Sequence, residues 1–178
     1  MQIQESPSIL IEARRFMTRS LESLKVLKSE ILDALESLDD LDQKLSALNP
    51  NRINVETTED ELILIGYFLS GIYSTFEDIF VKIAKDFENK IEDRGSWHFE
   101  ILNRMALDIE EVRPAVISKE SRAHLDELRR FWHVFRYSYA FELNWEKIVI
   151  TIKCWFRNSE SIQADITNFV NKLNRLAA

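Results

Sequence analysis

The chain has 178 residues, of which 46% are hydrophobic, and carries a formal net charge of -7 at pH 7. This length and composition fit one globular domain with a buried core, which we predict to span residues 1–178. An acidic chain is a poor nonspecific binder of nucleic acid, because such binding depends on neutralising phosphates with Lys and Arg. Any contact with RNA would have to be local, at a cleft lined with arginines.

The number of cysteines and the absence of targeting signals in the sequence favour a cytoplasmic location. The chain has one cysteine, Cys154, which excludes an internal disulfide and indicates a reducing environment. The N-terminus lacks the basic and apolar regions of a signal peptide. No run of about eighteen apolar residues occurs, so we expect no membrane span. We therefore predict a soluble, cytoplasmic protein that has no membrane partner.

Hydrophobic periodicity predicts a long first helix over about residues 8–48. Apolar residues recur every seven positions there and give one broad apolar face. The pattern leaves open whether residues 1–16 belong to this helix or form an extension with its own short helix. A proline at position 50 ends the pattern, because Pro excludes the preceding residue from a helix.

A second long helix is predicted to begin at a capping box, Thr58 to Glu61, and to end near Ile91. Apolar residues step by three or four positions along its whole length. Gly66 and Gly71 each lower its helix propensity by about 1 kcal/mol relative to Ala. We therefore expect a neighbouring helix to approach closely at these glycines.

Three further helices complete the predicted fold. The third covers about residues 97–111 and is stopped by Pro114, and the fourth runs from Ser118 to about Phe141. Asn144 is a good N-cap for the fifth, which carries an unbroken apolar stripe. Because nothing alternates with period two for long, we predict an all-α, antiparallel bundle of four or five helices.

The segment 129–139 mixes cations and large aromatics on one helical face. An ordinary amphipathic helix keeps its aromatics on one side and its charges on the other. Here steps of three, four and seven residues return to the same side of the helix. The residues on that shared face are Trp132, Phe135, Arg136 and Tyr139. This mixture indicates a site or an interface more than a plain core.

Other familiar chemistries find little support in the sequence. The histidines His98, His124 and His133 form no convincing metal cluster with carboxylates at helical spacing, so we expect exposed or capping histidines and no metal. No Gly-rich phosphate loop is present, and we expect no cofactor. Cys154 lies in an apolar run without a neighbouring histidine in the sequence, which indicates a small, buried, unreactive thiol.

Five motifs follow one another along the chain in the order of a known family. They are Leu69–Glu77, Gly95–His98, Arg104–Leu107, Val112–Ser118 and Phe131–Leu143. In this order the chain resembles the HEPN-domain family, and specifically the HepT-like toxins of HEPN–MNT (type VII) toxin–antitoxin pairs. The resemblance covers most of the chain, from about Glu61 to Leu176, and implies an all-α bundle.

The resemblance also implies a function, that of a metal-independent ribonuclease. In that family two protomers pair so that motifs of the form Arg, four residues, His, one residue, Tyr line one cleft. The Arg can stabilise phosphate charge in the transition state and the His can transfer protons near neutral pH. A minimal nucleotidyltransferase (MNT) antitoxin silences the toxin by adding AMP to the Tyr hydroxyl. We therefore expect a homodimer that binds an MNT-type antitoxin.

The motif is degenerate in this chain. Trp132 stands at the position of the Arg, Tyr137 at that of the His, and Tyr139 at that of the modified Tyr. Loss of a general base typically removes ~10²–10⁴-fold in rate, and loss of an anion-stabilising donor about 10²–10³-fold. We therefore expect RNA cleavage to be lost or weak and Tyr139 to be the residue that receives AMP.

Two alternatives remain open at this point. Arg136 and His133 lie close to the degenerate positions and could support a residual metal-independent endoribonuclease activity. The chain could instead be a non-catalytic HEPN dimer that binds RNA or protein, in which Trp132, Tyr137 and Tyr139 are core or interface aromatics. In either case the Arg136 guanidinium could bind a phosphate or stack on a neighbouring ring.

Overall fold

The computed structural model describes residues 7–48, 52–54, 56–88, 97–137 and 144–176, with side chains described within 21–136 and 144–173. Within these ranges there are five α-helices: α1 (Pro7–Ala47), α2 (Glu59–Glu88), α3 (Trp97–Met105), α4 (Lys119–Tyr137) and α5 (Trp145–Leu176). The predicted all-α bundle is confirmed. The predicted ends of the second helix near Ile91 and of the fourth near Phe141 lie outside the described residues.

The second helix, α2, is the centre of the bundle. It contacts each of the other four helices, and twelve of its residues are buried. By length and by a mean hydropathy of 1.2 it also meets the criterion for a membrane span, but half of that stretch is buried inside the protein. Its central position accounts for its apolar composition, because a helix that is covered on several sides has few solvent-facing positions.

Local sequence signals place the starts of the helices correctly. The Thr58 N–H donates to Glu61 Oε2 at 2.9 Å, and the Glu61 N–H faces Thr58 Oγ1 at 3.4 Å. This is the predicted capping box, one residue before α2 begins. Asn144 Oδ1 accepts from the N–H of Lys147 at 3.2 Å and so caps α5. The fourth helix begins directly after Ser118, as predicted.

The first helix, α1, is continuous from Pro7 to Ala47, so residues 7–16 are part of it and form no separate helix. Its buried apolar residues recur along one side and face the core. It is also tied to α5 by a polar contact, because the indole N–H of Trp155 donates to Asp42 Oδ1 at 2.5 Å. The Asp42 carboxylate of α1 therefore lies at the boundary of the core.

The third helix is shorter than predicted, and the helix prediction for residues 106–111 is wrong. It ends at Met105. The buried side chain of Arg113 folds back over this end and donates from Nη2 to the carbonyl of Arg104 at 3.0 Å. The same guanidinium forms a buried ion pair with Glu88 of α2, with Nη2 and Oε1 2.7 Å apart. The carbonyl of Arg104 lies in the last turn of α3 and has no N–H partner within the helix. Arg113 supplies the hydrogen bond that a further helical turn would otherwise provide.

Gly66 marks a close contact between helices, as the sequence predicts. A Cβ atom built on Gly66 would lie 2.3 Å from Cε2 of Phe135 on α4. A Cβ on Gly71 would lie 3.4 Å from Leu41 on α1, which is ordinary van der Waals contact. A side chain at position 66 would therefore force the Phe135 ring to move, whereas position 71 tolerates a larger residue.

We predict that Gly66→Ala lowers the free energy of unfolding by up to about 2 kcal/mol, because an overpacking cost of about 1–3 kcal/mol against Phe135 outweighs the gain of about 1 kcal/mol in helix propensity. Gly71→Ala is the matched control on the same helix, and its stability should equal or exceed that of the wild type. Urea unfolding followed by circular dichroism measures both. A Gly66→Ala protein as stable as the wild type would show that the ring moves aside without cost.

Candidate functional site

Trp132 of α4, at the first degenerate position of the motif, is a core residue. Its side chain is buried, with 5% relative exposure, and its indole N–H donates to Ser74 Oγ of α2 at 3.1 Å. The ring centroid lies 5.3 Å from that of Tyr73, also on α2. An enclosed indole with a satisfied N–H holds α4 against α2. At the position that the resemblance assigns to a charged Arg, this chain has a packing residue.

Arg136 lies one turn further along α4 and is exposed. Its Cζ lies 4.7 Å from the centroid of the Trp132 ring, which is a cation–π contact. The guanidinium therefore stacks on a ring, one of the two roles that the sequence suggests for it. Among the residues that the structure describes, no carboxylate forms an ion pair with Arg136. Its hydrogen-bonding capacity is thus directed toward solvent or a ligand.

The remaining predicted site residues are not seen in contact with Trp132 and Arg136. His133 is exposed on α4, about 100° around the helix axis from Trp132. Tyr137 is the last residue of α4, and its side chain lies outside the described residues, as does the whole of Tyr139. The structure therefore brings Trp132 and Arg136 into contact and leaves His133 on a different part of the helix surface.

His98 of α3 is the functional candidate that sequence reasoning missed. Its Nδ1 lies 2.5 Å from Oε1 of Glu77 on α2, and Glu77 is buried. The His98 ring also meets the Trp132 ring edge-on, with centroids 4.8 Å apart. The expectation of an exposed or capping residue is wrong for His98, since it is half-buried and paired with a carboxylate. The resulting cluster adjoins the degenerate motif position.

One signal in the sequence could have pointed to this pair. Glu77 stands at an inward position of α2, between the buried apolar residues Phe76 and Phe80. A carboxylate on an otherwise apolar face needs a partner, because burying an uncompensated charge is costly. The partner lies 21 residues away along the chain, on another helix, so the spacing of residues within one helix does not reveal it.

Hydrogen bonding fixes the roles of the groups around Glu77. The Tyr73 hydroxyl donates to Glu77 Oε1 at 3.1 Å. Burial raises the pKa of Tyr73, and the charge of Glu77 raises it further, so the phenol keeps its proton and remains a donor. The contact between His98 Nδ1 and the same carboxylate oxygen places the histidine proton on Nδ1.

Positive charge lines the same face of α4. Arg129, Trp132 and Arg136 are separated by steps of three and four residues and so share one side of the helix. The Cζ of Arg129 lies 5.2 Å from the centroid of Phe99 on α3, and its Nε donates to Asp126 at 2.8 Å. The helix carries five basic and three acidic residues in a chain whose net charge is -7. The fourth helix is therefore a local exception to the acidic character of the protein.

Cys154 of α5 has a histidine neighbour in space that it lacks in the sequence. Its Sγ lies 3.8 Å from Nδ1 of His124 on α4. Burial raises the pKa of the Cys154 thiol, and the charge of Glu127 raises it further. A thiol that keeps its proton is a poor nucleophile, which supports the interpretation of Cys154 as unreactive. Within the described part of the chain, no three His, Cys, Asp or Glu residues are grouped to hold a metal ion.

Fold and site together define the class of the protein: an all-α HEPN-like bundle with a cationic, aromatic face on its fourth helix. A profile of the family described as HepT-like protein matches residues 64–173, from the first turns of α2 into the last turn of α5. The chain therefore belongs to the HepT-like family of HEPN-domain proteins. No curated protein and no solved structure matches the chain significantly.

The burial of Trp132 leads to a prediction about stability. Trp132→Ala should lower the free energy of unfolding by about 3–5 kcal/mol, because it leaves a cavity between α2, α3 and α4. Val134→Ala is the matched control on the same helix, and at 55% exposure it should change stability by less than about 0.5 kcal/mol. Urea denaturation compares the two variants. Equal stabilities would show that the indole contributes nothing to the core.

Proposed function

We propose that the chain is the HEPN toxin-like component of a toxin–antitoxin pair, and that a minimal nucleotidyltransferase antitoxin binds it and transfers AMP to Tyr139. Membership of the HepT-like family supports the toxin-like role. The observation that carries the expected loss of RNA cleavage is the burial of Trp132 at the position that the resemblance assigns to the motif Arg. The segment keeps the acceptor tyrosine of the family motif and lacks the motif's cation and proton carrier, so its cleavage chemistry is lost or weak.

The chemistry of this modification needs little from the toxin except an accessible hydroxyl. The Tyr139 oxygen attacks the α-phosphate of ATP, the bond to the pyrophosphate breaks, and the hydroxyl proton leaves to solvent or to the transferase. An adenylyl group adds a phosphate charge and a base three residues along the chain from Arg136, and a guanidinium can pair with phosphate.

We predict that the purified chain, incubated with ATP and a minimal nucleotidyltransferase that binds it, gains the mass of one adenylyl group on Tyr139. Tyr139→Phe should abolish the gain, and Tyr137→Phe, two residues earlier, should retain it. Intact-mass measurement and peptide mapping follow the reaction. A stable complex without mass gain would refute the modification alone, and failure to form a complex would refute the partnership as well.

We also propose that two copies of the chain pair through the end of the bundle that carries the motif. A groove between the end of α4 and the start of α5 has a volume of about 280 Å³ and is lined by Phe131, Val134, Phe135, Ile148 and Ile150, among others. Two of these side chains are strongly exposed, Val134 at 55% and Ile150 at 67%. Exposed apolar surface next to a site supports a role in association.

If this groove is the contact between copies, Ile150→Glu should convert a dimer into a monomer, because it places a charge among the apolar residues that line the groove. Val26→Glu is the control, since Val26 of α1 is 60% exposed and lies outside the groove. Size-exclusion chromatography with light scattering reports the mass of each variant. A monomeric wild type would contradict the pairing, and an unaffected Ile150→Glu dimer would place the contact elsewhere.

A second candidate function is residual, metal-independent cleavage of RNA by Arg136 and His133. It is favoured by the exposure of the Arg136 guanidinium, which stacks on Trp132 and has no carboxylate partner among the described residues. An arginine in this state can stabilise a phosphoryl transition state. Under this alternative, cleavage of RNA would depend on both Arg136 and His133.

A further inference from the structure

We infer that Arg136 takes part in the transfer of AMP to Tyr139, by binding the α-phosphate of ATP while the nucleotidyltransferase holds the rest of the nucleotide. The inference rests on the proposed function and adds to it a residue of the acceptor protein that touches the reacting group. It gives a role to an exposed guanidinium that lies close to the acceptor along the chain.

The arginines in the second half of α4 differ in what balances their charge. Arg129 Nε lies 2.8 Å from Oδ1 of Asp126, and Arg130 Nη2 lies 2.7 Å from Oδ2 of the same carboxylate. Arg136 forms no ion pair with a carboxylate in the described parts of the chain. A guanidinium that already shares a carboxylate attracts a phosphate less strongly than one that does not. Arg136 is therefore the better suited of these arginines to bind an anion.

The contact with Trp132 holds the Arg136 side chain in place without removing its charge. The guanidinium carbon lies 4.7 Å from the centroid of the indole ring. The indole is itself fixed, because it is buried and donates to Ser74 Oγ at 3.1 Å. A cation that rests on a buried ring has less side-chain freedom to lose when it binds a ligand. Arg136 is therefore a preorganised cation at the surface of the bundle.

Chain length alone keeps Arg136 near the acceptor. Tyr139 follows it by three residues, and three residues of backbone span at most about 11 Å in any conformation. Both residues carry their functional groups at the ends of long side chains. A phosphoryl group bound by the guanidinium can thus lie within reach of the phenolic oxygen. Arg130 precedes the acceptor by nine residues and pairs with two carboxylates, so position and charge both favour Arg136.

The role of Arg136 follows from where charge develops in the reaction. The Tyr139 oxygen forms a bond to the α-phosphorus of ATP, the bond to pyrophosphate breaks, and the phenolic proton passes to the transferase or to water. Negative charge is then spread over the non-bridging oxygens of the α-phosphate, where two parallel hydrogen bonds from a guanidinium stabilise it. An arginine supplied by a partner protein can perform this task in phosphoryl transfer. Here the acceptor protein supplies it, so transfer depends on correct docking of the two proteins.

The test measures single-turnover transfer of AMP to the full chain, with ATP and a minimal nucleotidyltransferase that binds the chain both at saturating concentration. Arg136→Ala should lower this saturated rate by ~10²-fold or more, while the affinity between the two proteins, measured by calorimetry, stays at the wild-type value. Arg136→Lys keeps the charge without the planar fork of donors, so its rate should lie between the two. Arg130→Ala is the matched control, since it removes a guanidinium that is already paired, and it should accept AMP at the wild-type rate.

Chemical rescue separates a role in the reaction from a role in structure. Guanidinium ion, added to Arg136→Ala far below denaturing concentration, should restore part of the rate, which it would not do if the variant had lost its fold or a docking contact. Circular dichroism checks that the variant is folded, as expected for an exposed residue.

Three results would overturn the inference. If Arg136→Ala accepts AMP at the wild-type saturated rate, the guanidinium does not act on the phosphate, and a lowered affinity in that variant would make Arg136 a docking residue instead. Equal losses in Arg136→Ala and Arg130→Ala would reflect the general charge of α4. Both results leave AMP transfer to Tyr139 intact. A wild-type chain that accepts no AMP would refute the proposed function, and this inference with it.

Discussion

The packing of Trp132 between α2 and α3 is the contact on which the site depends. One indole joins three helices, because its N–H bonds Ser74, its ring lies against Tyr73 and its edge meets His98. Arg136 covers it from the solvent side. The aromatic at the position that the resemblance assigns to the motif Arg is therefore the residue that organises its neighbours.

A consequence is that an arginine at position 132 would not fit this packing without other changes. An arginine at position 132 would bring an ion into space that an indole now fills, and burial of an unpaired charge costs several kcal/mol. Glu77 could compensate for that charge only by giving up part of its bonding to His98 and Tyr73. The residues of this cluster thus form a coupled set, in which a change at one member alters the partners of the others.

The sequence predicts well what is decided locally. The caps at Thr58 and Asn144 and the apolar periods of the long helices depend on residues a few positions apart, and these predictions agree with the structure. The length of α3 is not decided locally, because Arg113 reaches back from beyond the helix to satisfy its end. The pairing of His98 with Glu77 likewise joins two helices, and a pattern within either helix carries no information on its partner. The motif resemblance is enough to identify the family. The residues that contact the motif in space can be identified only from the packing of the helices.

The hydrogen bond from the Trp155 indole to Asp42 affects which fragments of the chain can fold by themselves. The range matched to the family begins at residue 64, so α1 lies outside it. Yet α1 supplies the partner of that indole and one side of the hydrophobic core, through Ile31, Leu38 and Leu45. A fragment cut to the matched range would expose the apolar core residues that α1 covers. It would also leave the indole N–H of Trp155 without its partner Asp42. The smallest independently folding unit is therefore larger than the segment by which relatives are recognised.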